Sequence, residues 1–335
     1  MRLLSDLLPL RVAADLPRYR ADAAGRVLPW VYGRVTRAPV PLDDAGLEWL
    51  VADHPVVAVE SVRSAGKALD GWQLVQRLDE TGRAIATIRL TRTPEGDLAA
   101  QVVGRRDDTS GALLEHPAAI AADLLRRCGW SPAADAFQGL RDDFPGLALG
   151  MVFAERETAL RSALAQVIEP LGAVWVADPP AARRRTIGAP MATLTVLNVE
   201  RISAEATAGE LATVARAAFA HDWATGGARQ AVTVSAPDAV QAYGRLEVQL
   251  DMGAVRTARD ALSIAQARLA MMARPGWTLR ATVDAYLAIA PGDTVAVDHP
   301  RVPAGSALAL STARDRSRGT LEIVAWMPAG SAPRI

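Results

Sequence analysis

The chain has 335 residues, of which 50% are hydrophobic and 22% are charged, so it can form two or three packed units and is not disordered as a whole. Its 37 basic residues balance 37 acidic ones. The chain therefore lacks the overall basic excess that is typical of nucleic-acid binders. Cys128 is the single cysteine, which excludes an internal disulfide and any multi-cysteine metal or iron-sulfur site within one chain.

Residues 1–29 show no sustained hydrophobic period, and we interpret them as an N-terminal arm with one short helix. Asp6 interrupts the apolar stretch of the first ten residues and no small-residue cleavage site follows, so we expect no secretory signal. The chain has no apolar run long enough for a membrane-spanning helix, so we expect no stable membrane insertion.

Residues 30–112 are predicted to form a β-rich domain. Short apolar runs alternate with turn-forming residues at intervals of about 8–12 residues, which favours antiparallel strands. The turn residues at 79–82 and 94–97 are typical of hairpin loops. The predicted strands are Trp30–Thr36, Val56–Val62, Trp72–Leu78, Ala84–Thr91 and Leu98–Gly104.

Residues 113–178 are predicted to form a helical α/β insert. Pro117 is well suited to the first turn of a helix, Gly129 ends it, and Cys128 lies on its apolar face. The predicted elements are this helix, a short helix from Ser131 to about Leu140, a helix over Glu157–Ile168 and a strand over Ala173–Val176.

Residues 179–190 contain three prolines and the triplet Arg183-Arg184-Arg185, a composition that predicts a linker or exposed loop. A short basic run of this kind is typical of a solvated loop, and we favour that interpretation over a binding site. The linker separates the insert from the rest of the chain.

Residues 191–335 are predicted to form a second β-rich domain with one long helix over residues 253–273. The helix carries an apolar stripe and ends at Pro275-Gly276. The predicted strands are Ala192–Val199, Leu211–His221, Ala231–Ser235, Arg245–Leu250, Trp277–Val283, Thr294–Asp298, Ala307–Arg314 and Thr320–Trp326, the last three as a meander. The whole pattern predicts an α+β chain that is mainly β.

The sequence lacks the short motifs around which several enzyme classes are built. It has no G-x-S-x-G elbow, no G-x-x-x-x-G-K-[ST] phosphate loop and no H-E-x-x-H helix. Gly226-Gly227 lacks the third glycine of a dinucleotide site. We therefore predict no catalytic, cofactor-binding or metal-binding residues, and no cofactor.

The tripeptide Asp-His-Pro occurs twice, as Asp53-His54-Pro55 and as Asp298-His299-Pro300. A functional interpretation would use each imidazole, oriented by its carboxylate, as a base or a metal ligand. We favour a structural interpretation in which each tripeptide closes a strand end and its proline prevents further ladder pairing. His221-Asp222-Trp223 is interpreted in the same way.

Three pairs of adjacent aspartates could supply acid chemistry: Asp43-Asp44, Asp107-Asp108 and Asp142-Asp143. All three lie in predicted turns, where an aspartate hydrogen-bonds to nearby backbone. A glycosidase needs two carboxylates on opposite sides of a sugar cleft, and the sequence alone does not identify such a pair.

The chain has eight tryptophans, and exposed ones would suit a carbohydrate site. Trp72, Trp175, Trp277 and Trp326 fall in or beside predicted strands. We interpret these four as packing residues, because a large aromatic side chain in a strand contributes mostly to cores and interfaces.

Three groups of segments carry a resemblance to a known family. They are Leu28–Val35 with Val51–Val56 and Val59–Trp72; Pro117–Gly129 with Leu160–Val176; and Tyr243–Leu250 with the long helix to Ala273, Ala290–Val295 and the closing hairpin to Trp326. In this order they resemble the tail-tip and baseplate hub proteins of long-tailed bacteriophages (siphophages) and their prophages. The resemblance covers nearly the whole chain after the arm.

The resemblance implies a non-enzymatic virion component at the tail tip, assembled in the cytoplasm of the bacterial host. It implies part of a hub ring that joins the tail tube to the host-contacting tip and lets DNA pass during ejection. The early and late strands would form two tube-like antiparallel β-barrel regions, with the α/β insert between them. Such hubs are trimers, and the implied partners are the distal tail protein, the tape measure protein and other baseplate and tail-fibre proteins.

Two other functions stay open on the sequence alone. A receptor- or carbohydrate-binding tail protein would use exposed tryptophans and loops, and a cell-wall hydrolase would use an acid pair. Zero net charge suits assembly, because balanced charges can pair across an interface whereas like-charged copies repel one another. If DNA passes through a ring of this protein, we expect a channel that is neutral or acidic.

Overall fold

A computed structural model describes residues 5–16, 19–177, 180–207 and 211–329 of the chain. Strands make up 41% and helices 18% of the structure, which confirms the predicted α+β, mainly β class. The chain divides into two compact units. Unit 1 comprises Met1–Val167, Ala218–Ala231 and Met252–Asp260, and unit 2 comprises Ile168–Ala217, Val232–Asp251 and Ala261–Ile335.

Two four-stranded sheets form the centre of unit 1. The strands of residues 30–103 are β1 (Trp30–Tyr32), β2 (Arg34–Arg37), β3 (Val40–Pro41), β4 (Glu48–Ala52), β5 (Ala58–Ser64), β6 (Lys67–Ala68), β7 (Trp72–Leu78), β8 (Ala84–Leu90) and β9 (Leu98–Val103). One sheet has the order β2-β9-β5-β6 and the other the order β3-β4-β8-β7. All pairs in both sheets are antiparallel.

The two sheets of unit 1 are joined along both edges. Residues 38–39 lead from the edge strand β2 to the edge strand β3, and residues 69–71 lead in the same way from β6 to β7. Connections this short hold the paired edges close together, so the sheets form a flattened barrel. Its apolar core draws residues from both sheets, among them Val35, Val62, Val102, Val51, Ile88 and Leu90.

The two predicted hairpin loops of this region have different outcomes. The loop at 79–82 joins β7 to β8, which pair from Leu78 opposite Ala84, so that prediction is confirmed. The loop at 94–97 instead carries the chain from one sheet to the other, because β8 and β9 do not pair. Strand β4 is missing from the predicted elements, because its continuous apolar run covers only the four residues 49–52.

The N-terminal arm belongs to unit 1 and packs against its barrel. It contains two 3₁₀ turns, Ala13–Asp15 and Ala21–Ala23, in place of the single predicted helix. Its apolar side chains are buried in a second small core, which consists of Ala13, Leu16, Ala23, Leu28, Val40, Leu42, Leu50 and Ile85. Apolar contact therefore holds the arm on the barrel.

Arg11 adds a buried ionic contact between the arm and the barrel. Its guanidinium pairs with Asp53 and, through Nη1 at 2.5 Å, with Asp79, and each aspartate side chain is only 3% exposed. Burial raises the pKa of Asp53. Burial also raises the pKa of Asp79, but hydrogen bonds from Thr81 and Arg11 outweigh it and lower that pKa to about 2. The charges of both buried carboxylates are thus balanced by the same guanidinium, that of Arg11.

The helical part of unit 1 contains α1 (Pro117–Arg127), α2 (Gln138–Asp143), β10 (Met151–Phe153) and α3 (Leu160–Ile168). Strand β10 pairs antiparallel with β1. Helix α1 has its predicted N-terminal proline, and Cys128 is its half-buried C-cap residue. Helix α2 starts at Gln138 rather than Ser131, because the preceding backbone makes separate turns that end at Ala136 and Gln138.

A buried carboxylate joins α1 to β1. The Tyr32 hydroxyl donates to Asp123 Oδ2 at 2.7 Å, and Arg127 Nε donates to the same oxygen at 2.8 Å. Arg105 Nε lies 3.3 Å from that oxygen, and the Arg127 guanidinium lies 4.9 Å from the centre of the Trp30 ring. Asp123 Oδ2 therefore accepts two hydrogen bonds and also pairs with Arg105, whose buried Nε forms no hydrogen bond within the described part of the chain.

Unit 2 contains a six-stranded sheet of order β13-β19-β20-β21-β18-β14, and the chain also forms the sheets β11-β12 and β16-β15-β17. The elements of residues 173–328 are β11 (Ala173–Ala177), β12 (Pro180–Arg184), β13 (Ala192–Leu194), β14 (Val199–Thr207), β15 (Val214–Asp222), β16 (Gly227–Ser235), α4 (Pro237–Tyr243), β17 (Glu247–Met252), α5 (Ala258–Met272), β18 (Gly276–Asp284), β19 (Thr294–Val297), β20 (Gly305–Asp315) and β21 (Thr320–Pro328). The predicted C-terminal meander is confirmed by the neighbouring strands β19, β20 and β21.

The six-stranded sheet must curl. Its two edge strands, β13 and β14, are joined by only the four residues 195–198. Five strand spacings of about 4.8 Å would separate the edges of a flat sheet by about 24 Å. The five peptide steps from Leu194 to Val199 reach at most about 18 Å. The sheet therefore curves around its apolar core, which includes Leu279, Val283, Val295, Ala307, Leu321 and Ile323.

The predicted long helix is α5, which starts at Ala258 rather than at residue 253. The side chain of Thr257 accepts the backbone N–H of Asp260 at 3.1 Å and so caps the helix. Among the described residues, no helix combines the length and the hydropathy needed to cross a bilayer.

The predicted linker at residues 179–190 is wrong for residues 180–184, which form strand β12. This strand pairs antiparallel with β11, with Trp175 opposite Ala182. Arg183 forms an ion pair with Asp293, whose side chain is 7% exposed. The basic triplet thus supplies a structural ion pair, and Pro180 is tolerated because it stands at the first position of the strand.

Two strand predictions need correction. The predicted strand Ala192–Val199 is divided into β13, a turn at residues 195–198 and the start of β14, which runs on to residue 207, and β16 begins at Gly227 rather than at Ala231. Their added residues are mostly exposed and polar or small, so no apolar run marks them in the sequence. Only the backbone pairing in the structure identifies these added residues as parts of strands.

We predict that Arg11→Met lowers the free energy of unfolding by about 3 kcal/mol or more, because it leaves two buried carboxylates without their cation. Urea titration of the purified chain at pH 7 measures this change. The matched control is Arg20→Met, which breaks an exposed pair with Asp22 and should change stability little. Equal losses in the two variants would contradict a special role for Arg11.

Candidate functional site

His54, the first of the two Asp-His-Pro histidines, is buried and holds backbone. Its Nε2 accepts the backbone N–H of Val31 at 2.9 Å, and its Nδ1 lies 2.8 Å from the carbonyl oxygen of Pro55. Burial lowers the pKa of His54 to about 3, so the ring is neutral. Both nitrogens are engaged, which agrees with the structural interpretation of this tripeptide.

The other candidate histidines also have local roles. His299 belongs to unit 2, and its Nδ1 accepts the backbone N–H of Arg301 at 3.3 Å. The ring of His221 lies against Trp223, with the ring centres 4.5 Å apart in an edge-to-face arrangement. Among the described residues, no group of three or more His, Cys, Asp or Glu side chains is placed to hold a metal ion.

The three aspartate doublets lie in turns or helices. Asp43 accepts the backbone N–H of Leu47 at 2.8 Å, and Asp107 accepts that of Ser110 at 2.8 Å. Asp142 accepts from the side-chain amide one helical turn before it in α2. Each of these first aspartates stabilises local backbone or helix structure, so the doublets do not mark a pair of converging catalytic acids.

All eight tryptophans lie within the described residues, and each is buried or half-buried. Trp72 packs against the core of unit 1 and Trp277 against the core of unit 2, as expected. Trp175 lies half-buried on β11. Trp326 lines a cleft in unit 2. A sugar-binding surface of exposed tryptophans is therefore not present in the part of the chain that the structure describes.

The cleft in unit 2 has a volume of about 360 Å³. Met271 and Trp326 form part of its apolar wall, and Arg185, Arg268 and Arg274 also line it. Burial lowers the pKa of Arg268. None of the ion pairs recorded among the described residues uses these three arginines. The cleft is chemically suited to an apolar group that carries a negative charge.

A second cleft, of about 720 Å³, lies in unit 1 over the outer face of the sheet β2-β9-β5-β6. Its walls are partly polar and partly apolar, and the polar part includes Arg63, Gln101 and Asp222. Asp222 is paired with Arg229, and that ion pair together with hydrogen bonds lowers the pKa of Asp222 against the opposing effect of burial. Its charged residues are four arginines, Asp97 and Asp222, and Asp222 is held in its ion pair with Arg229.

The most extensive candidate surface is formed by two open strand edges. Strand β14 is an edge of the six-stranded sheet and β16 is an edge of the sheet β16-β15-β17, and each is nine residues long. No described strand pairs with either outer side. Unpaired N–H and C=O groups along such edges are a template for pairing with another chain. We call β14 and β16 the open edges.

No family model matches the chain, and no curated protein matches it. Its fold is similar to that of a chain in the virion of a native gene transfer agent particle, with a TM-score of 0.66. The chain shares that fold. The identity is 16%, over 96% of this chain and 90% of that one.

Weaker likenesses involve two prophage tail proteins. The 43 kDa tail protein of a Shewanella oneidensis prophage has a TM-score of 0.42 and 13% identity, over 92% of this chain and 99% of that one. A prophage tail protein of Listeria monocytogenes EGD-e has a TM-score of 0.39 and 15% identity, over 89% of this chain and 94% of that one.

The open edges were found only in part from the sequence: residues 231–235 of β16 were predicted as a strand, whereas residues 227–230 and 200–206 were not, because they are mostly exposed and contain no continuous apolar run. The arginines of the cleft in unit 2 carry no sequence signal either, since they are spread over residues 185–274. The histidines and acid doublets could be interpreted correctly, because turn chemistry is local.

We predict that stability falls as pH is lowered from 6.5, because the unfolded His54 binds a proton that the folded ring excludes until about pH 3. The slope contributed by this residue is up to about 1.4 kcal/mol per pH unit. His54→Gln removes it while keeping an acceptor for Val31. Urea titrations from pH 7 to pH 5, above the range of ordinary carboxylates, measure the slope, and parallel slopes in the two proteins would contradict the prediction.

Proposed function

We propose that this protein is a structural, non-enzymatic component of a phage-type tail tip or baseplate in the virion, and that it forms part of the hub ring. The observation that carries the proposal is the shared fold with a virion chain over 96% of this chain and 90% of that one. The open edges support the structural role, because unpaired strand edges are a template for pairing with another chain.

The open edges favour a ring of identical copies. Edge β16 of one copy pairs with edge β14 of the next in a head-to-tail contact, and a head-to-tail contact closes into a ring when its rotation allows. The balance of 37 acidic and 37 basic residues keeps repulsion between copies low. We propose three copies, in contact with the distal tail protein, the tape measure protein and other baseplate and tail-fibre proteins. DNA passes through the ring without specific binding.

Neither alternative function is favoured by an observation. A carbohydrate- or receptor-binding role finds no exposed tryptophan among the described residues, and a hydrolase role finds no converging acid pair there. The structural role instead uses the open edges, which the structure contains.

We predict that the purified chain forms an oligomer of three times its 35.5 kDa mass, measured by size-exclusion chromatography with light scattering. The paired variants Gln230→Pro and Ala231→Pro test edge β16. Successive N–H groups of a strand point to opposite sides, so one variant removes an outward N–H and the other removes a ladder hydrogen bond.

The variant that removes the outward N–H should keep the unfolding midpoint of the natural chain and lose the oligomer. Its partner, which breaks the ladder to β15, serves as the control and should lower the unfolding midpoint. A monomeric natural chain, or an oligomer that survives both substitutions, would overturn assembly through this edge.

In the particle, we predict density for this protein on the tail axis, visible by electron microscopy with an antibody label. A receptor-binding protein would instead be labelled at the periphery.

A zymogram against peptidoglycan should show no clearing, and a cleared band would overturn the non-enzymatic assignment.

A further inference from the structure

The open edge β14 has an apolar side and a polar side. Ile202 and Ala204 are half-buried and pack against the core of unit 2. Arg201, Ser203 and Glu205, which alternate with them, are exposed. This alternation is the period-2 pattern of a strand with one face on a core, so the side chains of β14 have fixed faces.

The open edge β16 alternates in the same way. Val232 is half-buried and Val234 is buried, whereas Ala231 and Thr233 are exposed. Arg229 is exposed and lies on the same face as Thr233, because an even number of residues separates them. If β14 and β16 pair in one continuous sheet, their apolar sides must share a face, since a shift of one residue moves the whole apolar set to the other face.

The regular part of β14 matches β16 in length when Ile202 lies opposite Val232 in an antiparallel pair. Strand β14 has a bulge between Val199 and Arg201 and is regular from there to residue 207. In this register residues 201–207 lie opposite residues 233–227, so the pairing extends to the first residue of β16. The two half-buried aliphatic side chains then face each other on the apolar side.

Charge selects the same register on the exposed side, where it places Glu205 opposite Arg229. No ion pair among the described residues uses Glu205. The side chain of Arg229 is 50% exposed beside its partner Asp222, so part of its guanidinium faces solvent. A parallel register that matches the two nine-residue strands end to end would instead place Arg201 opposite Arg229, and like charges directly opposite each other are destabilising.

We propose that β14 of one copy pairs antiparallel with β16 of a second copy of this chain, with Ile202 opposite Val232 and Glu205 opposite Arg229. The inference rests on the proposed ring and specifies its contact. Cross-strand pairs of apolar and of oppositely charged side chains stabilise such a pairing, so these four residues determine how successive copies align.

The register also brings the turn before β14 to the second copy. Val196 is 59% exposed and Leu197 is 91% exposed in that turn. Beyond Ser235, the last residue of β16, helix α4 begins at Pro237. The turn of one copy therefore reaches the start of α4 in the next, and the contact covers two aliphatic side chains that turn chemistry does not explain.

Oxidative cross-linking of the full-length chain tests the register. In a Cys128→Ser background the introduced cysteines are the only ones. Ala206→Cys and Ala228→Cys replace two exposed residues that lie opposite each other in the proposed register. Their Cα atoms would be about 4.5–5.5 Å apart, which is within the range of a disulfide. We expect copper-phenanthroline to produce linked dimers and trimers on a non-reducing gel, and dithiothreitol to return them to the monomer.

The matched control combines Ala206→Cys with Gln230→Cys in the same background. Residue 230 is the diagonal neighbour of residue 206 in the proposed register, about 7–8 Å away, so at least about tenfold less linked product is expected. Equal linking in the two double variants, or no linking of the first in a sample that light scattering shows to be oligomeric, would overturn the register and leave the ring intact. A monomeric natural chain would overturn the ring and this contact together.

Charge reversal gives a second, independent measurement. Glu205→Arg should raise the dissociation constant of the oligomer several-fold, because it places two arginines opposite each other. About 0.5 M NaCl should narrow this difference, since salt screens exposed charges. The control is Glu200→Arg, which reverses an exposed charge at the bulge of the same strand and should change the dissociation constant little. Equal effects of the two reversals would overturn the pairing of Glu205 with Arg229.

Discussion

The short connection between β13 and β14 is the constraint on which the architecture of unit 2 depends. Four residues cannot bridge a flat six-stranded sheet, so the sheet curls and its apolar face becomes an interior. Unit 1 obeys the same rule, because residues 38–39 and 69–71 tie its two sheets together at both edges. In both units, connection length rather than any single side chain determines the curvature.

The curled sheet of unit 2 does not close into a barrel, because its edge strands β13 and β14 do not pair. The edge strand β13 has only three residues whereas β14 has nine, so the two edges cannot pair along the full length of β14. An unpaired edge of this length is a liability in a protein that acts alone, and natural proteins cover it or use it. The curled sheet is therefore suited to completion by another chain, which connects the fold to the proposed ring.

The apolar periodicity of the sequence predicts the buried elements well and the exposed ones poorly. Helix α1 and the meander β19-β20-β21 could be predicted because their apolar residues recur at helical or strand spacing. Strand β12 could not, since its proline and two arginines are typical of a loop until pairing with β11 and the buried partner Asp293 are known. The sheet order depends on contacts between distant residues, which no local pattern records.

Buried charge and exposed apolar surface have different explanations in this chain. Arg11 and Asp123 are buried, and each has partners of opposite charge, so their burial is explained by the contacts that join the arm and α1 to the barrel. Val196, Leu197 and Tyr286 are exposed on braced loops, and folding gains little from their apolar side chains. A residue that contributes little to the fold and opposes local turn chemistry is best explained by a contact outside the chain. That contrast separates these three residues from the scattered apolar residues that any protein surface contains.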